Sequence, residues 1–205
     1  EHIGNFDYVE PKMSKHLWLY EGVTEYFANL ILLQSNLISE REFFGQRMSR
    51  KISASSRYPE KKISFTKMSE KVFEKKYGKH YLQVYQRGAI IGLLLDIEII
   101  RLTNGQKTLK DVVIELSNIY GAEKSFNEEY FFDEFTALVH PELRQWFADY
   151  VEGTIPLDIE GGLAQIGVMY SKKGKSFTFP FFLALDLQIT LRNIIKKRRK
   201  RNAGN

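Results

Sequence analysis

The chain has 205 residues, is 43% hydrophobic and 14% aromatic, contains no cysteine, and carries a formal net charge of +5. Such a chain can bury a sizeable core and is not disordered, and without thiols it has no disulfide framework, thiolate metal site or cysteine nucleophile. The positive charge is local: residues 196–201 read "KKRRKR", and removing those six charges from +5 leaves −1, so the body has no general attraction for nucleic acid.

Residues 1–13, "EHIGNFDYVEPKM", read as a looping segment punctuated by Gly4 and Pro11. A start at Glu1 within such a loop leads us to expect a piece of a longer polypeptide. A helix is expected from Ser14, a candidate N-cap, to about Ser35, with Trp18, Glu21, Glu25 and Ala28 on one face. Ser39 and Glu42 have capping-box spacing for a second helix, expected to run to the break at residues 53–59. A polar, Lys-rich stretch over 60–84 contains a short helical candidate near 67–76. Residues 85–105 form the most apolar helix of the sequence, stopped by Asn104-Gly105. Thr108 and Asp111 have capping-box spacing for the next helix, which ends at Gly121. Asn127 is placed to cap a helix through about Val139, and Pro141 to open another that ends at Gly153. Residues 155–170 suit a short helix plus a strand. The body is therefore expected to be mainly α, with helices stacked around one core. The expected division is a helical part over 1–170 and a basic tail, or the truncated start of a following module, over 171–205.

Glu21 lies at the centre of "HLWLYEGVTEYF". An acid on an amphipathic helix is ordinarily solvated or ion-paired. Here Leu17, Trp18, Val23 and Phe27 crowd it, and a buried carboxylate needs a compensating cation or hydrogen bonds. A metal ion is one such cation.

"LWLYEGVTEYF" resembles the third-ligand segment of the gluzincin metallopeptidases. Taken with "GNFDY" at 4–8 and "YQRGAIIGLLLDIEIIRLTNGQKTLKDVV" at 85–113, the chain resembles the glycyl aminopeptidase-like family of that clan over roughly residues 1–168. The resemblance implies the helical C-terminal subdomain of a thermolysin-like catalytic domain. It implies Glu21 as the third ligand of a Zn2+ whose two histidines come from an H-E-x-x-H helix, and peptide hydrolysis by a metal-activated water. It also implies Tyr85, 64 positions after Glu21 and followed by Gly88, as the phenol that hydrogen-bonds the oxyanion. As a residue in its own right, Tyr85 also suits a core tyrosine at a helix start. Glu25 and Thr24 are candidates for orienting a ligand, and Glu25 equally suits solvent.

No H-E-x-x-H occurs here; the histidines are His2, His16, His80 and His140. His2 precedes Glu21 by 19 positions, near the spacing of a histidine ligand in some gluzincins, but in the family resembled it falls in the connecting loop. The expectation is a chain that begins just downstream of the catalytic helix, inactive and incompletely liganded alone. Its expected partners are a peptide substrate, the N-terminal remainder of the domain and a PDZ-like module downstream, with nucleic acid disfavoured. The family implies an exported or envelope location. The rival is a non-catalytic helical module that binds peptides or proteins and has lost the zinc site. For residues 177–201 a frayed terminus, a membrane-surface helix, a truncated domain start and a phosphate-binding patch all stay open.

Overall fold

The computed structural model describes residues 9, 11, 13–121, 124–171, 173 and 176–178. His2, the segment 4–8 and the basic run 196–201 lie outside the described residues.

The mainly α expectation holds. A π-helical turn, Trp18–Val23, runs without a break into α1 (Thr24–Gln34). A second continuous helix is built from α2 (Glu40–Glu42), another π turn (Phe43–Met48) and α3 (Ser49–Ser55). Short helices α4 (Phe65–Glu70) and α5 (Lys75–Gly78) lead to the long α6 (Gln83–Leu102). Then follow α7 (Leu109–Ile119), α8 (Phe131–Ala137), α9 (Leu143–Tyr150) and α10 (Ile159–Ala164). The hairpin β1 (Met169–Ser171) and β2 (Ser176–Thr178) is antiparallel, with Tyr170 opposite Phe177. No described helix is long and apolar enough to cross a membrane.

The middle of helix α6 is covered on every side: residues 87–97 are all buried, and Ile90, Ile91, Leu95 and, beyond them, Ile99 are fully so. It packs against the first π turn, α1, α3, α7, α9 and α10. The helix stops where Asn104 and Gly105 take φ of 57° and 77°, left-handed values that asparagine and glycine tolerate best. The Thr108–Asp111 capping box is fully formed: Thr108 Oγ1 accepts from Asp111 N, and Asp111 Oδ2 accepts from Thr108 N. Inside, Asp96 joins three elements: its Oδ2 accepts from Tyr26 Oη at 2.7 Å and its Oδ1 from Leu109 N at 2.8 Å.

The first helix departs from expectation. Ser14 Oγ accepts from His16 N and closes a turn, but regular structure starts only at Trp18 and in π form. The wider turn shifts the phase of everything after it. Trp18 is fully buried whereas Ala28 is exposed, so the two do not share a face. Two other caps are partial. Ser39 Oγ accepts from Glu42 N, while the Glu42 carboxylate turns to Arg47. Asn127 Oδ1 accepts from Glu129 N and fixes the turn before α8.

Trp18 sits in an aromatic cluster with Phe131, Phe132, Phe135 and Phe147, stacked on Phe132 at 5.9 Å. His16 belongs to the same cluster. Trp18 Nε1–H donates to His16 Nδ1, and His16 Nε2 then donates to the Glu128 carbonyl at 3.0 Å, which fixes a neutral tautomer. Burial lowers the His16 pKa from 6.5 to about 4. The unfolded chain therefore binds this proton more readily than the folded one below about pH 6.5. His16 stabilises the fold fully above that pH; the contribution is lost as pH falls and levels off below about pH 4. The loss is worth roughly 3 kcal/mol. Urea midpoints between pH 7 and 4 should fall more steeply for the native chain than for His16→Gln, and parallel curves would contradict the assignment.

Candidate functional site

The first π turn and the start of α6 cross with their backbones almost touching. A Cβ added at Gly22 would lie 2.5 Å from Gly88 Cα, and one at Gly88 would lie 2.7 Å from Gly22 Cα. Only glycine at both positions permits this approach. One turn along, Tyr26 Cβ lies 3.0 Å from where a Cβ on Gly92 would be. The two helices therefore run alongside each other in step, 22 against 88 and 26 against 92.

That crossing brings Glu21 and Tyr85 together. Both are half-buried at the edge of the packed seam. The Tyr85 pKa is raised: its hydroxyl shares a hydrogen bond with Tyr81 Oη (3.4 Å), burial adds to this, and the negative charge of Glu21 adds further. The phenol therefore keeps its proton throughout the neutral range and stays a donor. Tyr81 stands one turn before Tyr85, with its ring edge-on to it. It had no place in the sequence reading, since nothing in the spacing separates it from an ordinary loop tyrosine.

The two acids of α1 and its π turn differ in their partners. Glu25 Oε1 accepts from Lys51 Nζ at 2.7 Å and from Asn29 Nδ2 at 3.3 Å. Glu21 has no lysine or arginine partner among the described residues. Thr24 Oγ1 donates to the Tyr20 carbonyl at 2.6 Å, taking up an acceptor within the wide turn. Its hydroxyl is thus turned back along its own helix.

Among the described residues, no three His, Cys, Asp or Glu side chains converge as metal ligands. His16 is enclosed by aromatic rings, His80 packs edge-on to Tyr58, and His140 Nδ1 accepts from Glu142 N. None of the three belongs with Glu21 to a group of three such donors among the described residues.

Beside this locus opens a cleft of about 640 Å³ between α1, α3 and the start of α6. Glu25 is the one acid among the residues that line it, against the cations Arg47, Arg50, Lys51, Arg57 and Lys79. The signal for it in the sequence was the basic stripe 47, 50, 51, 54, 57 at helical spacing, interrupted only by Ala54.

The helical arrangement is similar to part of one solved structure. A solved aminopeptidase N family protein from Idiomarina loihiensis superposes with a TM-score of 0.72 at 22% identity, over 82% of this chain and 30% of that one. At that identity the likeness is one of fold, and this chain spans less than a third of that protein's length. Residues 1–91 match the M61 glycyl aminopeptidase family, a stretch that contains both Glu21 and Tyr85. Over those residues the chain is similar to the family that its motifs resemble. No curated protein matches it.

Proposed function

We propose that this chain is the helical part of a zinc-dependent, aminopeptidase-like peptidase. The observation that carries the reading is the pairing of an acid that has no cation partner among the described residues with a protonated phenol. The two are 64 positions apart in sequence, yet a glycine-on-glycine crossing sets them side by side. Glu21 fits a metal's oxygen donor because the compensation that Lys51 gives Glu25 is missing for it. The other donors and the general base come from outside the described residues. Glu21 would be one donor to a zinc ion there, which would supply the charge that acidifies a water.

The residues of this chain do the rest. Glu21 binds and orients. Tyr85 donates its O–H to the oxygen on which negative charge develops, and Tyr81 holds that phenol in place. Glu25, fixed by Lys51 and Asn29, keeps the next turn in position. Thr24 contributes by locking the π turn rather than by touching substrate. The substrates on this reading are peptides with a free N-terminus and a small first residue such as glycine.

A helical binding module without chemistry is the rival, favoured by the lack of a ligand cluster among the described residues. Metal analysis of the full-length protein separates the two. The peptidase reading expects close to one zinc per chain; a metal-free protein, unresponsive to added zinc, establishes the module.

A further inference from the structure

The cleft beside Glu21 and Tyr85 has more positive charge than its own acid can neutralise. Lys51 is paired with Glu25, and Arg47 Nη2 with Glu42 at 3.3 Å. Arg50, Arg57 and Lys79 have exposed side chains and no ion pair among the described residues. Three unneutralised cations converging on one concave surface repel one another. A bound anion relieves that repulsion.

The walls give a second, independent indication. Arg47 Nε and Gln83 Oε1 are shut off from solvent without a hydrogen-bond partner. Both residues line the cleft, one a donor and the other an acceptor. A bare oxyanion has nothing to offer Gln83 Oε1. A peptide main chain offers an N–H and a C=O at each residue, and can meet both groups once their side chains turn outward. Nucleic acid suits the cleft less well. The body of the chain carries −1 without its terminal basic run, and no Phe, Tyr or Trp is among the residues that line the cleft.

We infer that this cleft takes the carboxylates of an acidic peptide whose N-terminal end lies at Glu21 and Tyr85. The inference rests on the peptidase reading for the direction of the peptide: Glu25, one turn on from Glu21, and Gln86, the neighbour of Tyr85, both line the cleft. It assigns the substrate class as peptides that carry negative charge a few residues beyond the first bond, or end there in a free carboxylate.

The test is calorimetric titration of the full-length holoprotein with peptides whose first bond is a reduced, non-hydrolysable isostere. Gly-Ala-Ala-Glu-Glu-amide, Gly-Ala-Ala-Gln-Gln with a free C-terminus, and the fully amidated Gln peptide separate side-chain carboxylate, terminal carboxylate and neither. At least one carboxylate peptide should bind about 10-fold more tightly than the neutral one, as expected for a few half-exposed ion pairs. The preference should shrink with salt and vanish in the triple variant Arg50→Ser, Arg57→Ser, Lys79→Ser, whose exposed side chains leave the core untouched. Equal affinity for all three peptides in the native protein overturns the inference without any variant. So does a preference that the triple variant retains, or tighter binding of oligo-dT through the same three residues. A carboxylate preference without zinc or turnover upholds the cleft and removes the peptidase. Hydrolysis of the same peptides made with a natural first bond, with no preference among the isosteres, does the reverse.

Discussion

Glu21→Gln in the full-length protein is expected to weaken zinc binding by about 10²-fold or more and to carry hydrolysis down with it. The change keeps the shape of the side chain and removes only its charge. An amide oxygen is a poor replacement for a carboxylate in a site where a divalent cation is otherwise held by neutral donors. Loss of a residue that merely orients a ligand costs about 10- to 100-fold in affinity, so loss of a direct donor belongs at or beyond the upper end. The fold should be indifferent, because Glu21 is half-buried, makes no ion pair in the described residues, and projects beside the Gly22–Gly88 contact rather than into it. An unchanged urea midpoint with lost metal is therefore the expected pattern, whereas unchanged metal content counts against Glu21 as a ligand. Glu25→Gln provides the contrast. It strips Lys51 of its partner at 2.7 Å and should disturb the α1–α3 contact more than the metal.

The parts of this fold that were legible in the sequence are those set by local chemistry. The Thr108–Asp111 box and the Asn104-Gly105 stop rest on side chains within a few residues of the backbone they serve, and both are realised as read. Helix α6 was legible because twenty residues of mostly apolar sequence leave a helix nowhere but the interior. The first helix was misphased because a π turn leaves no periodic mark. It is chosen by what surrounds it: Trp18 must enter the aromatic cluster while Gly22, four residues on, must meet Gly88. The Tyr26–Asp96–Leu109 link was likewise invisible, since Asp96 looks like a polar interruption in an apolar run until its two partners are folded against it. Of the candidate site, Glu21 and Tyr85 were singled out through a resemblance to family motifs, and the Gly22–Gly88 crossing sets the two side by side. The cationic cleft was missed because its residues come from three elements, and only one of them carries a readable stripe.

Tyr85→Phe should lower kcat by about 10²-fold or more while zinc content and KM for a glycyl peptide stay close to native values. A donor aimed at the position of developing charge acts on the transition state more than on the bound substrate, so its removal is read in kcat. The phenol is suited to that work because the Tyr81 hydrogen bond, burial and the adjacent Glu21 charge all keep its proton on; the donor does not titrate away in the neutral range. It is also held still. Its backbone lies within one turn of the Gly22–Gly88 contact, where added bulk on either helix would push the backbones apart, and Tyr81 Oη restrains the hydroxyl from the side. Removing that restraint alone, as Tyr81→Phe, leaves the donor in place but free to swing, and should cost kcat several-fold and not 10²-fold. A Tyr85→Phe protein with native kcat reduces Tyr85 to a packing residue and moves oxyanion stabilisation outside this chain. A fall in kcat matched by an equal loss of zinc makes the tyrosine a support for Glu21 instead.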